Sequence, residues 1–168
     1  MGAEISTLFA ALSPIPCHLV AVMPGHSAVA TWTEGIMQFV ADWAHLADIS
    51  SKEDETGKTW STEDAKAKAA QWLRGSDIRD FPKPYNWLTP PLWRPNIILV
   101  GAVDDQYIPH TSMSMLARHW KGLTQVRWIA GGHCTGVVFH KNTIRSCIVD
   151  AMLGGSSIDK HDRESTPN

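Results

Sequence analysis

"IILVGAVDDQYIPH", residues 97–110, decides how the rest of the chain is read. Four apolar residues, Ile97, Ile98, Leu99 and Val100, run into Gly101 with no polar position between them, as a buried strand does. Two carboxylates, Asp104 and Asp105, follow in the exit turn ahead of Pro109. An acidic turn after a strand is ordinary. In an open parallel sheet, however, catalytic groups and ligands gather beyond the carboxyl ends of the strands.

Working outward, "CHLVAVMPG" (17–25) is a second short apolar run, closed by Pro-Gly. "TQVRWIAGG" (124–132) is a third, with Val126 and Trp128 alternating against Gln125 and Arg127. Helical spacing fills the intervals. It covers 3–12 through Ile5, Leu8, Phe9 and Leu12, and 27–46 as one or two helices with Gly35 a break. Ser61 and Asp64 open a helix over 61–74 in the manner of a capping box, and Gly75 stops it. Met113, Leu116, Ala117 and Trp120 share one face over 112–120. Ile144, Cys147, Ile148, Ala151 and Met152 mark the last helix. Residues 50–59 read as a polar loop, the proline-rich 80–95 as an extended connection, and 154–168 as a disordered polar tail. Strands alternating with amphipathic helices predict an α/β domain over 1–153. It has three parallel strands (17–24, 96–101 and 124–130) and a helical insertion over about 27–79.

A net charge of −2 leaves no basic footprint, so nucleic acid is not an expected partner. The three cysteines, Cys17, Cys134 and Cys147, are odd in number and lack metal-ligand spacing, and read as reduced thiols. No apolar run reaches the roughly 20 residues of a bilayer span, and no basic residue precedes an apolar segment as in a secretory signal. "MGAEIS" satisfies the N-myristoylation pattern at Gly2, a pattern short enough to arise by chance. Trp32, Trp43, Trp60 and Trp72 are expected to pack in the insertion rather than to face a substrate. Nothing in the sequence assigns a compartment.

An acid after one strand and a histidine, His133, after the next reproduce the second half of the Ser…Asp…His order of α/β-hydrolases. The chemistry explains the order. A serine hydroxyl is a poor nucleophile until an imidazole takes its proton, and the imidazole needs a carboxylate to fix its tautomer. Gly131, Gly132 and Gly136 around His133 leave room for the ring to face a cleft. Of the two carboxylates Asp105 is favoured, with Asp104 a solvated neighbour; the bland alternative for His133 is a turn histidine bonded to backbone.

"GAVDDQYIP", "VRWIAGGH" and "IRSCIVDAM", with "WTEGIM" and "RDFPKP", resemble the alpha/beta hydrolase domain-containing protein 18 family over most of residues 1–152. The resemblance implies a lipase- or esterase-like fold, hydrolysis of an ester or similar acyl bond without metal or organic cofactor, and a small-molecule or lipid-like acyl substrate. Asp105 and His133 match the family's acid and base. Its nucleophile sits in a G-x-S-M-G-type elbow, and Met1-Gly2 match the two residues after that serine. This implies a C-terminal portion of a hydrolase fold that lacks its nucleophile and is inactive as given. The alternatives are a non-enzymatic pseudo-hydrolase acting as a binding module, or an active enzyme using Ser27. "GHSAV" (25–29) follows a strand and precedes a helix, but lacks the closing glycine of G-x-S-x-G; Ser27 is expected to cap the helix or line the pocket. Without a neighbour beyond 17–23, that strand edge is expected to promote self-association.

Overall fold

The computed structural model describes residues 2–15, 17–84 and 96–153. In chain order the elements are α1 (Gly2–Leu12), β1 (Leu19–Val22), α2 (Ala28–Thr33), α3 (Trp43–Glu53), α4 (Thr62–Leu73), β2 (Ile97–Ala102), α5 (His110–His119), β3 (Thr124–Ile129), α6 (His133–Phe139) and α7 (Lys141–Met152). Short 3-10 turns occupy Ile36–Phe39, Arg74–Ser76 and Ile78–Asp80. The three strands form one parallel sheet in the order β1-β2-β3, with Leu19 beside Ile97 and Ile97 beside Thr124.

The apolar run that opened the sequence is the middle strand, and all six of its residues are buried. Its side chains divide by parity, as a pleated strand requires. Ile97 and Leu99 pack with Ala10 and Ala11 of α1, with Met113 and Leu116 of α5 and with Trp120 at its C-cap. Ile98, Val100 and Ala102 face the opposite layer, with Ile129 of β3 and Cys147 and Ala151 of α7. A strand covered on both faces reads as a continuous apolar run, which is why this segment shows no alternation. Gly101 faces the α5 side, where a methyl group would run into the Met113 sulfur and the Trp128 ring.

Several expectations are corrected. α1 forms over its predicted span, but buries Thr7, Ala10 and Ala11, while Ile5, Phe9 and Leu12 are more than half exposed. Small residues let a helix approach a sheet closely; of the larger stripe that marked the helix in sequence, Leu8 packs against the core and the other three lie on the outer side. α3 continues to Glu53, into the stretch expected to be loop. Asp42 caps its start, and a Lys52–Asp48 pair at 2.6 Å supports the turn that looked too polar for a helix. β3 alternates poorly, with Val126 38% exposed. In α7 only Cys147 and Ala151 are buried, and Ile148 and Met152 are exposed.

In the insertion the Ser61–Asp64 capping box forms as expected, although Gly75 falls within a 3-10 turn beyond the helix end. The insertion is packed through Ala30, Ala47, Ala65 and Ala69. Of its tryptophans, Trp32, Trp43 and Trp60 are half-buried, Trp43 and Trp60 donating indole N–H groups to the Gln38 carbonyl and the Asp54 carboxylate, each at 2.7 Å, and Trp72 is exposed. The expected extended connection lies outside the described residues over 85–95, as does the expected tail over 154–168.

Candidate active site

The exits of β2 and β3 are stitched together past the ends of the strands. Val103 N–H donates to the Ile129 carbonyl at 3.0 Å and Asp104 N–H to the Gly131 carbonyl at 3.1 Å. Gly131 makes this possible: its φ of +90° lies in the left-handed region, and a side chain there would press on the Thr135 hydroxyl at 2.8 Å. After Gly132 the chain turns directly into α6, with His133 as its first helical residue. Gly136, one turn on, lets that helix settle on the strand ends, since a methyl group there would meet the Met23 side chain at 2.7 Å. The "GGHCTG" segment, which reads as a turn, is thus a helix start held in place by glycine contacts.

This geometry sets His133 against Asp105. His133 Nδ1 lies 2.7 Å from Asp105 Oδ2. The acid side chain is 2% exposed and the imidazole 37%. The other carboxylate oxygen, Oδ1, accepts the backbone N–H of Tyr107 at 2.8 Å and of Ile108 at 3.0 Å, and Pro109 then caps α5. With both oxygens of Asp105 acting as acceptors, Nδ1 is the protonated ring nitrogen. Nε2, on the far side of the ring, then carries the lone pair. The Tyr107 ring sits 5.2 Å from the His133 ring, tilted by 42°. The space below the acid is filled: a void of about 10 Å³ among Met23, Gly101, Ile108, His110, Met113 and Trp128 holds at most one water molecule. Asp104 is exposed, as expected of a solvated neighbour.

Ser27 is placed differently. It is 1% exposed, its hydroxyl accepts the Val29 N–H at 3.1 Å, and it caps α2. Among the described residues, no serine hydroxyl hydrogen-bonds His133. The structure therefore brings Asp105 and His133 together and leaves Ser27 apart from them.

Beside this pair lies a buried polar cluster that sequence spacing does not signal. Ser112, third residue of α5, lies 2.8 Å from His26 Nδ1 through its hydroxyl, which also accepts the His26 backbone N–H at 3.0 Å. His26 Nε2 is 4.0 Å from Asp77 Oδ2, too long for a hydrogen bond, and Asp77 is held by the Arg79 guanidinium at 2.6 Å. Burial, then the Arg79 cation, push the His26 pKa below its ordinary value. Burial acts to raise that of Asp77, but its hydrogen bonds from Arg79 outweigh this and hold it low. The cluster ties the β1 exit, the end of the insertion and α5 together. Among the described residues, no group of three or more His, Cys, Asp or Glu side chains could hold a metal ion, and no helix is long and apolar enough to cross a membrane. The larger concavity, of about 370 Å³, lies along α7 around Arg145 and Asp150 and includes none of Asp105, His133 or Ser27.

The family described as alpha/beta hydrolase domain containing 18 matches residues 1–153. Among solved structures, the chain is similar to Est1E from Butyrivibrio proteoclasticus, both in a structure with ferulic acid bound (14% identity, TM-score 0.48, 90% of this chain and 56% of that one) and in one described without it (14%, TM-score 0.47, 90% and 58%). It is also similar to the thioesterase domain from the curacin biosynthetic pathway, at 13% identity and a TM-score of 0.43, over 87% of this chain and 63% of that one. The chain thus spans less than two thirds of the length of each of these structures.

Proposed function

Because the chain belongs to the alpha/beta hydrolase domain containing 18 family, we propose that Asp105 and His133 are the acid and base of a serine-hydrolase mechanism acting on ester or related acyl bonds. One observation carries this: the 2.7 Å contact between His133 Nδ1 and Asp105 Oδ2, which leaves Nε2 as the proton acceptor. In the reaction Nε2 takes the proton of a serine hydroxyl as its oxygen attacks the acyl carbon, and returns it to the leaving group. Asp105 keeps the ring in the required tautomer and stabilises the imidazolium that forms. Water then repeats the sequence on the acyl-serine, with Nε2 again as base.

On this reading no described serine is the nucleophile, since none hydrogen-bonds His133, and the 168 residues alone do not turn over. Ser27 is disfavoured for the role by its burial and by the commitment of its hydroxyl to the α2 cap. The substrate is a small or lipid-like acyl compound. The side of β1 away from β2 carries no strand among the described residues, and this edge promotes self-association.

Two arms test the proposal. The 168-residue chain should neither hydrolyse short acyl esters nor react with a fluorophosphonate probe; labelling that disappears in Ser27→Ala would transfer the role to Ser27. In a longer form that supplies the nucleophile, Asp105→Asn should lower turnover by about 10⁴-fold and His133→Ala by about 10⁶-fold. Turnover unchanged by either would leave the pair a structural hydrogen bond in a non-catalytic binding module.

A further inference from the structure

The stretch "WTEGIM" (32–37) lies in the helical insertion, outside the acid and histidine turns, and sequence assigns Gly35 only the role of a break. Its backbone, at φ −78° and ψ −178°, is extended and open to any residue, so conformation does not demand glycine here. Space does. A methyl group on Gly35 would lie 2.5 Å from the Tyr107 carbonyl oxygen, 2.9 Å from that of Thr31 and 3.1 Å from that of Gln106. All three obstacles are main-chain atoms, which cannot rotate aside as the end of a side chain can. Next to Gly35, the Ile36 N–H donates to the Gln106 carbonyl at 2.7 Å.

The carbonyl of residue 106 and the N–H of residue 107 belong to one planar peptide unit, and those of 107 and 108 to the next. Both units therefore have two occupied ends. Their carbonyls abut Gly35 and Ile36; their N–H groups are the two backbone donors to Asp105 Oδ1, at 2.8 and 3.0 Å. A plane cannot move at one end and stay still at the other. A displacement of either carbonyl by a few tenths of an ångström tilts the N–H that holds the acid, and so turns Oδ2 relative to His133.

We propose that Gly35 is a positioning residue for Asp105: its missing side chain lets the insertion clamp two successive peptide planes that orient the carboxylate toward His133. The proposal rests on the assignment of Asp105 and His133 made above only for its consequence in catalysis; the clamp is a property of the chain as it stands.

The test compares Gly35→Ala with Gly75→Ala in the 168-residue chain, since a methyl group at Gly75 meets nothing within 4 Å. Hydrogen exchange by NMR follows the Tyr107 and Ile108 amides, and the low-field resonance of the His133 Nδ1 proton reports the bond to Asp105. Gly35→Ala should speed exchange at 107 and 108 by about tenfold or more, as expected when two hydrogen bonds loosen, and weaken the Nδ1 signal. The Leu99 and Val100 amides should keep their wild-type rates, and Gly75→Ala should change none of these. Where Gly35→Ala does not fold, Ile36→Pro decides. Ile36 is the first residue of a 3-10 turn, where the φ of proline fits, and proline replaces the N–H that holds Gln106 with a ring carbon that pushes the carbonyl away. It should produce the same local loss. Wild-type exchange at 107 and 108 in the folded variant, or acceleration spread equally over β2, would overturn the proposal. Failure of the hydrolase assignment would instead show as undiminished turnover of Asp105→Asn in the longer form, with the exchange results intact.

Discussion

Replacing Ser112 by alanine removes a hydroxyl that makes two hydrogen bonds at once. It accepts the His26 backbone N–H at 3.0 Å and lies 2.8 Å from His26 Nδ1, so the variant orphans one main-chain donor and one ring nitrogen in a side chain only 8% exposed. Each buried group left without a partner costs about 1–3 kcal/mol, and partial relaxation brings the pair to about 2–4 kcal/mol. That is a large share of the roughly 5–15 kcal/mol that a domain has to lose. With a urea slope of about 1–3 kcal/mol per molar, the unfolding midpoint should fall by about 1–2 M while the slope stays fixed. A loss below about 0.5 kcal/mol, in the range of ordinary surface substitutions, would refute the view that this hydroxyl joins the β1 exit to α5. The same cluster predicts acid sensitivity. Burial and then Arg79 hold the His26 pKa low, against the opposing pull of Asp77, the Ser112 contact and Glu34. The unfolded chain therefore takes up this proton first, near pH 6.5. Its contribution to stability is complete above about 6.5 and declines as pH falls toward the lower folded-state value, by up to about 1.4 kcal/mol per pH unit. The difference in stability between wild type and His26→Gln, measured from pH 8 to pH 5, isolates this group. A difference that stays flat or grows toward acid would contradict the sign.

Gly136→Ala should push α6 off the strand ends, since the added methyl would meet Met23 at 2.7 Å and Ala102 and Ile129 at 3.3 Å; overpacking of about 1–3 kcal/mol and a weakened His133 Nδ1 proton signal are expected from urea titration and NMR. Ser61→Ala breaks the capping box of α4 and should cost about 0.5–2 kcal/mol without touching the Asp105–His133 bond; a changed Nδ1 signal would show that the insertion couples to the pair through α4 as well. Leu19 donates its N–H to the Asn96 carbonyl just ahead of β2 and Met23 to the Val100 carbonyl within it, so in a parallel ladder Val20 and Val22 turn theirs to the open side. Self-association seen in sedimentation should therefore be reduced by Val20→Pro, which removes an open-side donor; a monomer at all concentrations in the parent chain would end that proposal.

What could be read from sequence follows from which signals are local. β2 was legible because burial on both faces leaves an uninterrupted apolar run, and strand order alone places Asp105 and His133 on neighbouring exits of one sheet edge. α6 was not legible, because three glycines in six residues read as turn. Here Gly131 supplies a left-handed φ, while Gly136 supplies closeness, and closeness depends on Met23 and Ala102, far away in sequence. Gly35 hides in the same way. Its neighbours are the carbonyls of residues 106 and 107, and no pattern within "WTEGIM" points to them. In α1 periodicity found the helix but pointed to the wrong face, since burial is settled by the neighbours and the closest approach went to alanines. The His26–Ser112 contact joins residues 86 apart, and polar pairs leave no periodic trace.

The two members of the candidate pair are held by different means, and the difference bears on which of them is free to act. Asp105 is fixed from four directions. Its own N–H bonds the Ala102 carbonyl at 3.3 Å, the preceding residue is tied to Gly131, and the two amides that grip its Oδ1 are backed by the insertion. Buried at 2% exposure, it has nowhere else to turn. Among the described residues His133 has one hydrogen bond through its ring, to that carboxylate, and is otherwise positioned by the tilted Tyr107 ring and by its place at the start of a seven-residue helix. A base that must accept and return a proton needs a ring free on its Nε2 side. The acid that orients it needs to stay still, because any motion of the carboxylate misdirects the lone pair. The buried partner is therefore held by backbone, and the partly exposed one lies at the surface. For that reason substitutions that disturb main-chain contacts to the acid turn, such as Gly35→Ala, should affect the pair more than changes of comparable size on the exposed face of α6.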